Sequence, residues 1–269
     1  DLLLMSATPI PRSMMLSIFG DMDISRLKEK PKYRKEINTL IKPESKISEI
    51  LPLLKKQISL NNQVFWICPL IEDSDKIKFS SVKKKYNYLK DLFPNEVGLV
   101  HGNLEKNDRK KILYDFETKK IKILVSTTVI EVGVDYPNAN IIVIEDANKF
   151  GLSQLHQLRG RVGRGDQKSI CILLYKKNLT QRAKKRLKIL KSSNDGFLIA
   201  EEDLKLRGFG DILGYQQSGI KNFKFADPIH HEKLFKLAEK NIKKINIDNI
   251  NRFETLLKLH DRADIINEI

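Results

Sequence analysis

Gln154-Leu155-His156-Gln157-Leu158-Arg159-Gly160-Arg161-Val162-Gly163-Arg164-Gly165 is the stretch from which the rest of the chain is read. Residues 152–159 fit a helix, and Arg161 and Arg164 follow its end three apart, near enough to converge on one anion. Arginine suits that task because its planar fork matches phosphate oxygens and never loses its proton. Gly160 and Gly163 let the backbone come close to whatever the arginines hold. The alternative is a solvated basic helix end.

Outward from that stretch the pattern is α/β. Short apolar runs at 37–41, 64–68, 97–100, 123–126, 141–145 and 170–175 read as strands. Helical patterns fall between and after them at 45–60, 80–92, 105–118, 152–159 and 181–191. Continuous apolar runs belong to strands buried on both faces. The alternation predicts a doubly wound parallel sheet, with function at the carboxyl ends of its strands.

Several of those ends carry polar residues. Ser126-Thr127-Thr128 closes one strand and leads into Val129-Ile130-Glu131-Val132-Gly133-Val134-Asp135. Hydroxyls before a helix N-terminus make a phosphate cradle, because free N–H groups and the helix dipole point outward. His101-Gly102 follows another strand, and Trp66 in Trp66-Ile67-Cys68-Pro69 reads as a core aromatic. Near the start, Ser6-Ala7-Thr8-Pro9 leaves a short apolar run, a tight exit loop or an ordinary helix cap. Residues 26–35 are basic, marked by proline and aperiodic. Residues 181–191 carry six cations and no acid, with Ala183, Leu187 and Leu190 on one stripe; the polar face is a solvated surface or a nucleic-acid track. Residues 198–206 read as a short helix with Glu201, Glu202 and Asp203 placed to suit its dipole. Beyond it, Arg207-Gly208-Phe209-Gly210 leads to Gln216-Gln217-Ser218-Gly219, an irregular glycine-rich string.

The formal charge is +15, which favours a polyanionic partner. The competing explanation is a lysine-rich composition without function. No apolar run is long enough to span a membrane. Cys68 and Cys171 lie in apolar strands and read as buried thiols, and the histidines show no metal-ligand spacing, so no metal site is expected.

The Gln157 to Arg164 string resembles the sixth motif of superfamily 2 helicases and translocases. Ser6-Ala7-Thr8-Pro9-Ile10-Pro11-Arg12 resembles their third motif, Trp66 to Ser74 the fourth, and Val125 to Pro137 the fifth. The string from Asp203 to Gly219 resembles the translocation motif shared by the RecG and Mfd types. Three details favour the RecG type: the wording of the fifth motif, Ser193-Asn194-Asp195-Gly196-Phe197, and Trp66-Ile67-Cys68-Pro69-Leu70-Ile71-Glu72. The resemblance implies a RecA-like second helicase lobe followed by a helical and extended translocation region. It implies that Arg164 is an arginine finger on the γ-phosphate of ATP, that Arg161 holds the triphosphate and that Gln157 senses it. Gly133 and Asp135 would line the ATP side. Thr127, Thr128, His101 and Gly102 would meet DNA, as would Arg207, which makes a hairpin-locking contact, and Gln216 and Gln217 in the moving translocation loop. Ser6, Ala7 and Thr8 would couple the two sites.

The implied division is 1–25 as the end of a first lobe, 26–36 as linker, 37–192 as the second lobe and 193–269 as the translocation region. No G-x-x-x-x-G-K-[ST] or D-E-x-H string occurs in these residues, so the ligands of ATP-bound Mg²⁺ are expected upstream. The reading is therefore a C-terminal portion, inactive alone, of a cytoplasmic, monomeric, ATP-dependent DNA helicase working on forks and Holliday junctions in repair. The alternatives are an Mfd-type transcription-repair coupling translocase, a non-catalytic nucleic-acid-binding module and an RNA helicase.

Overall fold

The computed structural model describes residues 35–69, 75–127, 136–165, 167–207 and 231–242, with a few isolated positions before residue 35. Side chains are described from residue 82 onward in the helix that starts at 75, and Arg207 is described by its backbone alone. Ser6, Ala7, Thr8, Thr128, Gly133, Asp135, Gln216 and Gln217 lie outside the described residues, as do most of the short apolar run before Ser6 and most of the basic linker. Residues 27–206 form one compact unit. Helix Glu232–Ile242 belongs to a second, made of residues 1–26 and 207–269.

The first unit is a six-stranded, wholly parallel sheet: β1 (Ile37–Pro43), β2 (Gln63–Ile67), β3 (Val97–Val100), β4 (Ile123–Ser126), β5 (Ala139–Ile144) and β6 (Ser169–Tyr175). Its order is β1-β6-β5-β2-β4-β3. The helices of this unit are α1 (Leu51–Ser59), α2 (Asp75–Leu92), α3 (Lys106–Glu117), α4 (Leu152–Arg159), α5 (Gln181–Ser192) and α6 (Gly196–Arg207). The path runs outward from β1 through β2 to β3, then reverses through β4 and β5 to β6. Crossovers between parallel strands are right-handed, so the reversal puts the later helices on the opposite face. Residues from α1 and α2, Leu54, Ile58, Val82 and Leu89, join one core. Phe116 of α3, Leu155 and Leu158 of α4, Leu187 and Leu190 of α5 and Ile199 of α6 join the other.

Two-sided burial explains the apolar runs. Val64 and Trp66 of β2 face one core while Phe65 and Ile67 face the other. Trp66 is fully buried, a core residue as expected. Cys68 and Cys171 are buried free thiols, and burial pushes Cys171 up to about 12.

Three elements differ from the sequence reading. The helix expected at 45–60 is a 3-10 segment, Glu44–Glu49, followed by α1, which starts beside Pro52. Proline has no N–H to give and is tolerated only in a helix's first turn. α2 begins at Asp75, earlier than expected. α6 begins at Gly196, where the Asp195 carboxylate accepts the Phe197 N–H at 2.8 Å. This moves Glu201, Glu202 and Asp203 out of the first turn, so they do not serve the dipole as predicted.

Candidate functional site

α4 runs antiparallel to the strands, from the carboxyl end of β5 back towards the start of β6. Its last residue is therefore at the amino-terminal edge of the sheet, and so is the loop with Arg161 and Arg164. Function was expected at the carboxyl ends of the strands; chain direction alone puts the arginine loop at the other edge. A Cβ on Gly163 would stand 3.1 Å from Ile37 Cγ1 and 3.7 Å from Ser169 Cβ, the first residues of β1 and β6. One on Gly165 would stand 2.8 Å from the Pro137 carbonyl oxygen, just before β5.

Gly163 has φ +77°, the left-handed region that side chains resist. Gly160, by contrast, closes α4 in ordinary helical conformation and donates to the His156 carbonyl at 3.0 Å. The close approaches seen at Gly163 and Gly165 are to the chain's own residues, Ile37 and Pro137. Val162 is buried, while Arg161 and Arg164 are half-exposed. Partial burial, then the neighbouring Arg164 cation, lowers Arg161 from its ordinary value. The two guanidiniums stand close enough for one cation to depress the other, and a polyphosphate fits that donor set. Gln157 is exposed on the last turns of α4.

Arg159 was not singled out by sequence. It is 2% exposed. Its Nη1 donates to the carbonyls of Leu190 (2.6 Å) and Ser193 (2.9 Å) and to Thr39 Oγ1 (3.4 Å), and its Nη2 lies 3.1 Å from His156 Nδ1. It satisfies the orphan carbonyls that end α5, where a positive charge also suits the helix dipole. Burial lowers its pKa from the ordinary arginine value. Beyond the loop, Gln167 Oε1 accepts from Asn140 Nδ2 at 3.1 Å, and the same nitrogen donates to Asn62 Oδ1 at 2.8 Å. Asn62 Nδ2 donates in turn to Gln57 Oε1 at 2.7 Å. No spacing rule finds these amides, because their partners are distant in sequence.

The carboxyl-terminal edge holds Thr127, His101 and Gly102. Thr127 follows β4 and is 8% exposed, and its carbonyl accepts the Ser126 hydroxyl at 2.8 Å. His101 follows β3, half-buried, and desolvation lowers its pKa, favouring the neutral ring. Gly102 beside it is open, with nothing within 4 Å of an added Cβ. Next to them, Glu145 pairs with Lys85 at 2.7 Å. Asp146, buried and left-handed at φ 46°, pairs with Lys176 at 2.9 Å. The Thr127 and His101 group therefore lies at the opposite end of the strands from the arginine loop. Thr127 and His101 also end β4 and β3, on the far side of the sheet from β1 and β6.

On α5, Ala183, Leu187 and Leu190 are buried as the stripe predicted. Two of its cations are anchors: Arg186 donates to the Phe150 (2.6 Å) and Asn148 (2.9 Å) carbonyls, and Arg182 to that of Leu206 (2.7 Å). Lys184, Lys185, Lys188 and Lys191 are exposed. Among the described residues no group of acids, histidines and cysteines could hold a metal ion, and no helix is long and apolar enough to cross a membrane.

Residues 45–166 match the helicase conserved C-terminal domain, and residues 193–256 match the C-terminal part of domain 3 of the ATP-dependent DNA helicase RecG. The chain is 45% identical over 243 residues to the ATP-dependent DNA helicase RecG of Bacillus subtilis, covering 90% of this chain and 36% of the relative. It is 43% identical over 252 residues to that of Thermotoga maritima, covering 93% and 32%. A solved RecG bound to a three-way DNA junction superposes with a TM-score of 0.67 at 41% identity, over 86% of this chain and 30% of that one. The chain thus spans about a third of the length of the relatives it matches.

Proposed function

Because the chain belongs to the RecG family, in the region of its helicase C-terminal domain and the end of its third domain, we propose that it forms the second motor lobe and translocation segment of an ATP-driven DNA translocase. Its substrate is branched DNA, forks and Holliday junctions. Support for the substrate class is the net charge of +15 and the likeness to a RecG bound to a three-way junction. A lobe outside these residues supplies the phosphate-binding loop and the Mg²⁺ ligands, and the complete enzyme works as a cytoplasmic monomer.

The single observation that carries the reading is the arginine pair on a loop bent at Gly163. ATP with Mg²⁺ supplies the phosphoryl group whose transfer to water drives the motor. Arg164 meets the charge that develops on that group, Arg161 holds the phosphates, and Gln157 reports their presence from the helix that leads into the loop. Gly133 and Asp135 act with them on the nucleotide. At the far edge Thr127, His101 and Gly102 track the DNA backbone, a role that Thr128 shares. Neutral His101 does so by hydrogen bonding rather than by charge. Ser6, Ala7 and Thr8 couple the two sites, Arg207 locks the translocation hairpin, and Gln216 and Gln217 move with turnover. The separation of the arginine loop from the DNA-side residues across the sheet suits a motor, since turnover at one edge is then converted into movement at the other.

The test is Arg164→Ala in the complete enzyme. DNA-stimulated ATP hydrolysis is expected to fall roughly 10³- to 10⁵-fold, the span of an arginine finger, while forked DNA is still bound. Undiminished turnover would remove Arg164 from the reaction.

A further inference from the structure

The loop with Arg161 and Arg164 is fastened on both sides by side chains to which the motif resemblance gives no role. On the entry side, Arg159 reaches the Leu190 and Ser193 carbonyls and Thr39 of β1. On the exit side, Gln167 receives a hydrogen bond from Asn140 of β5, which is tied through Asn62 to the end of α1. Both fastenings are expensive for stability alone. Arg159 buries a cation with no carboxylate among its contacts, and Asn140 Oδ1 is buried with no partner among the described residues. An apolar residue of similar size would avoid either cost.

We propose that Arg159 and the Asn140–Gln167 pair are positioning residues for the arginine loop, holding its backbone so that Arg161 and Arg164 meet the phosphates without rearrangement. The inference rests on the finger reading above and extends it. Charge stabilisation in phosphoryl transfer depends on groups fixed beforehand, and a supporting shell that slackens by about 1 Å can lower rate by roughly a hundredfold. Between the two pins, the approach of Gly163 to Ile37 and of Gly165 to the Pro137 carbonyl leaves the loop little freedom. Arg161 and Arg164 are then mobile only in their own side chains.

Gln167 is exposed, so its substitution tests the idea without threatening the fold. ATP hydrolysis by the complete enzyme on forked DNA is measured for Gln167→Ala, Gln167→Glu, Arg159→Lys and Arg164→Ala, with thermal melting of each. Gln167→Ala and Arg159→Lys are expected to lower kcat by roughly ten- to a hundredfold with KM for ATP within about twofold. Gln167→Glu retains an acceptor for Asn140 Nδ2 and is expected to restore kcat to within about threefold of the parent. Wild-type kcat in Gln167→Ala and Arg159→Lys, beside an inactive Arg164→Ala, would overturn the positioning role and leave the finger intact. A loss of kcat that Gln167→Glu does not restore, or that only tracks a fall in folded fraction, would also overturn it. Turnover that survives Arg164→Ala would instead bring down the finger reading, and the positioning role with it.

Discussion

Gly163→Ala perturbs the arginine loop at the point where it is most constrained. The native φ is +77°, and holding an L-residue in the left-handed region costs about 1–2 kcal/mol. The added methyl would also stand 3.1 Å from Ile37 Cγ1 and 3.3 Å from its Cδ1. Ile37 is at the start of β1 in a filled core, so it yields only by leaving its rotamer, at about 0.5–1.5 kcal/mol. Together these give about 1.5–3.5 kcal/mol. For a unit of this size that is a fall in Tm of roughly 3–14 °C. Thermal and urea melts of three variants separate the contributions. Gly163→Asn tolerates the left-handed region but keeps the Cβ, so it recovers the backbone part of the loss and not the contact part. Gly102→Ala has open space around it and is expected to stay within about 0.5 kcal/mol of the parent. A Gly163→Ala protein as stable as the parent, or one no worse than Gly102→Ala, would refute the reasoning that the loop is locked by backbone geometry.

Two further outcomes follow from charge and burial. Lys176 is held above its ordinary value by its hydrogen bond to Asp146. A raised lysine contributes stability that is whole below its unfolded pKa, about 10.4, and is lost as pH climbs through the folded value. Asp146→Asn keeps a residue that accepts φ 46° but removes the charge. Its Tm should therefore fall less than the parent's between about pH 9 and about pH 11, and an equal fall in both would remove the pair from the alkaline limb. Cys171 is fully buried and pushed up to about 12, so a thiol reagent near neutral pH should label it only as fast as the protein opens. Labelling faster than global unfolding would contradict its place in the core.

The strands, their parallel pairing and the family were legible before any coordinates, because each rests on local pattern. Six continuous apolar runs separated by helical periods admit little besides a doubly wound sheet. The strands at 97–100 and 123–126 and the helix at 152–159 fall where they were expected. Family membership came from strings whose spacing is short enough to see by eye, and the match of residues 193–256 to RecG separates that reading from the Mfd alternative. Helix starts were less legible, because Pro52 and the Asp195 cap set them at residues 51 and 196 rather than at 45 and 198.

What the residues alone determined is the chemistry available: a glycine-hinged arginine pair, hydroxyls at a strand end and a basic surface. Only the tertiary structure decided where these stand. The direction of α4 carries Arg161 and Arg164 to the amino-terminal edge, away from Thr127 and His101. It also turned Arg159, indistinguishable in the string from its neighbours, into a buried clamp on the end of α5, and linked Gln167 to Asn140 and Asn62. The physical reason is one of range. Periodicity and turn chemistry are set by residues a few positions apart, whereas a buried charge or amide is satisfied by carbonyls and side chains that only the folded chain brings within 3 Å, such as Leu190 beside Arg159.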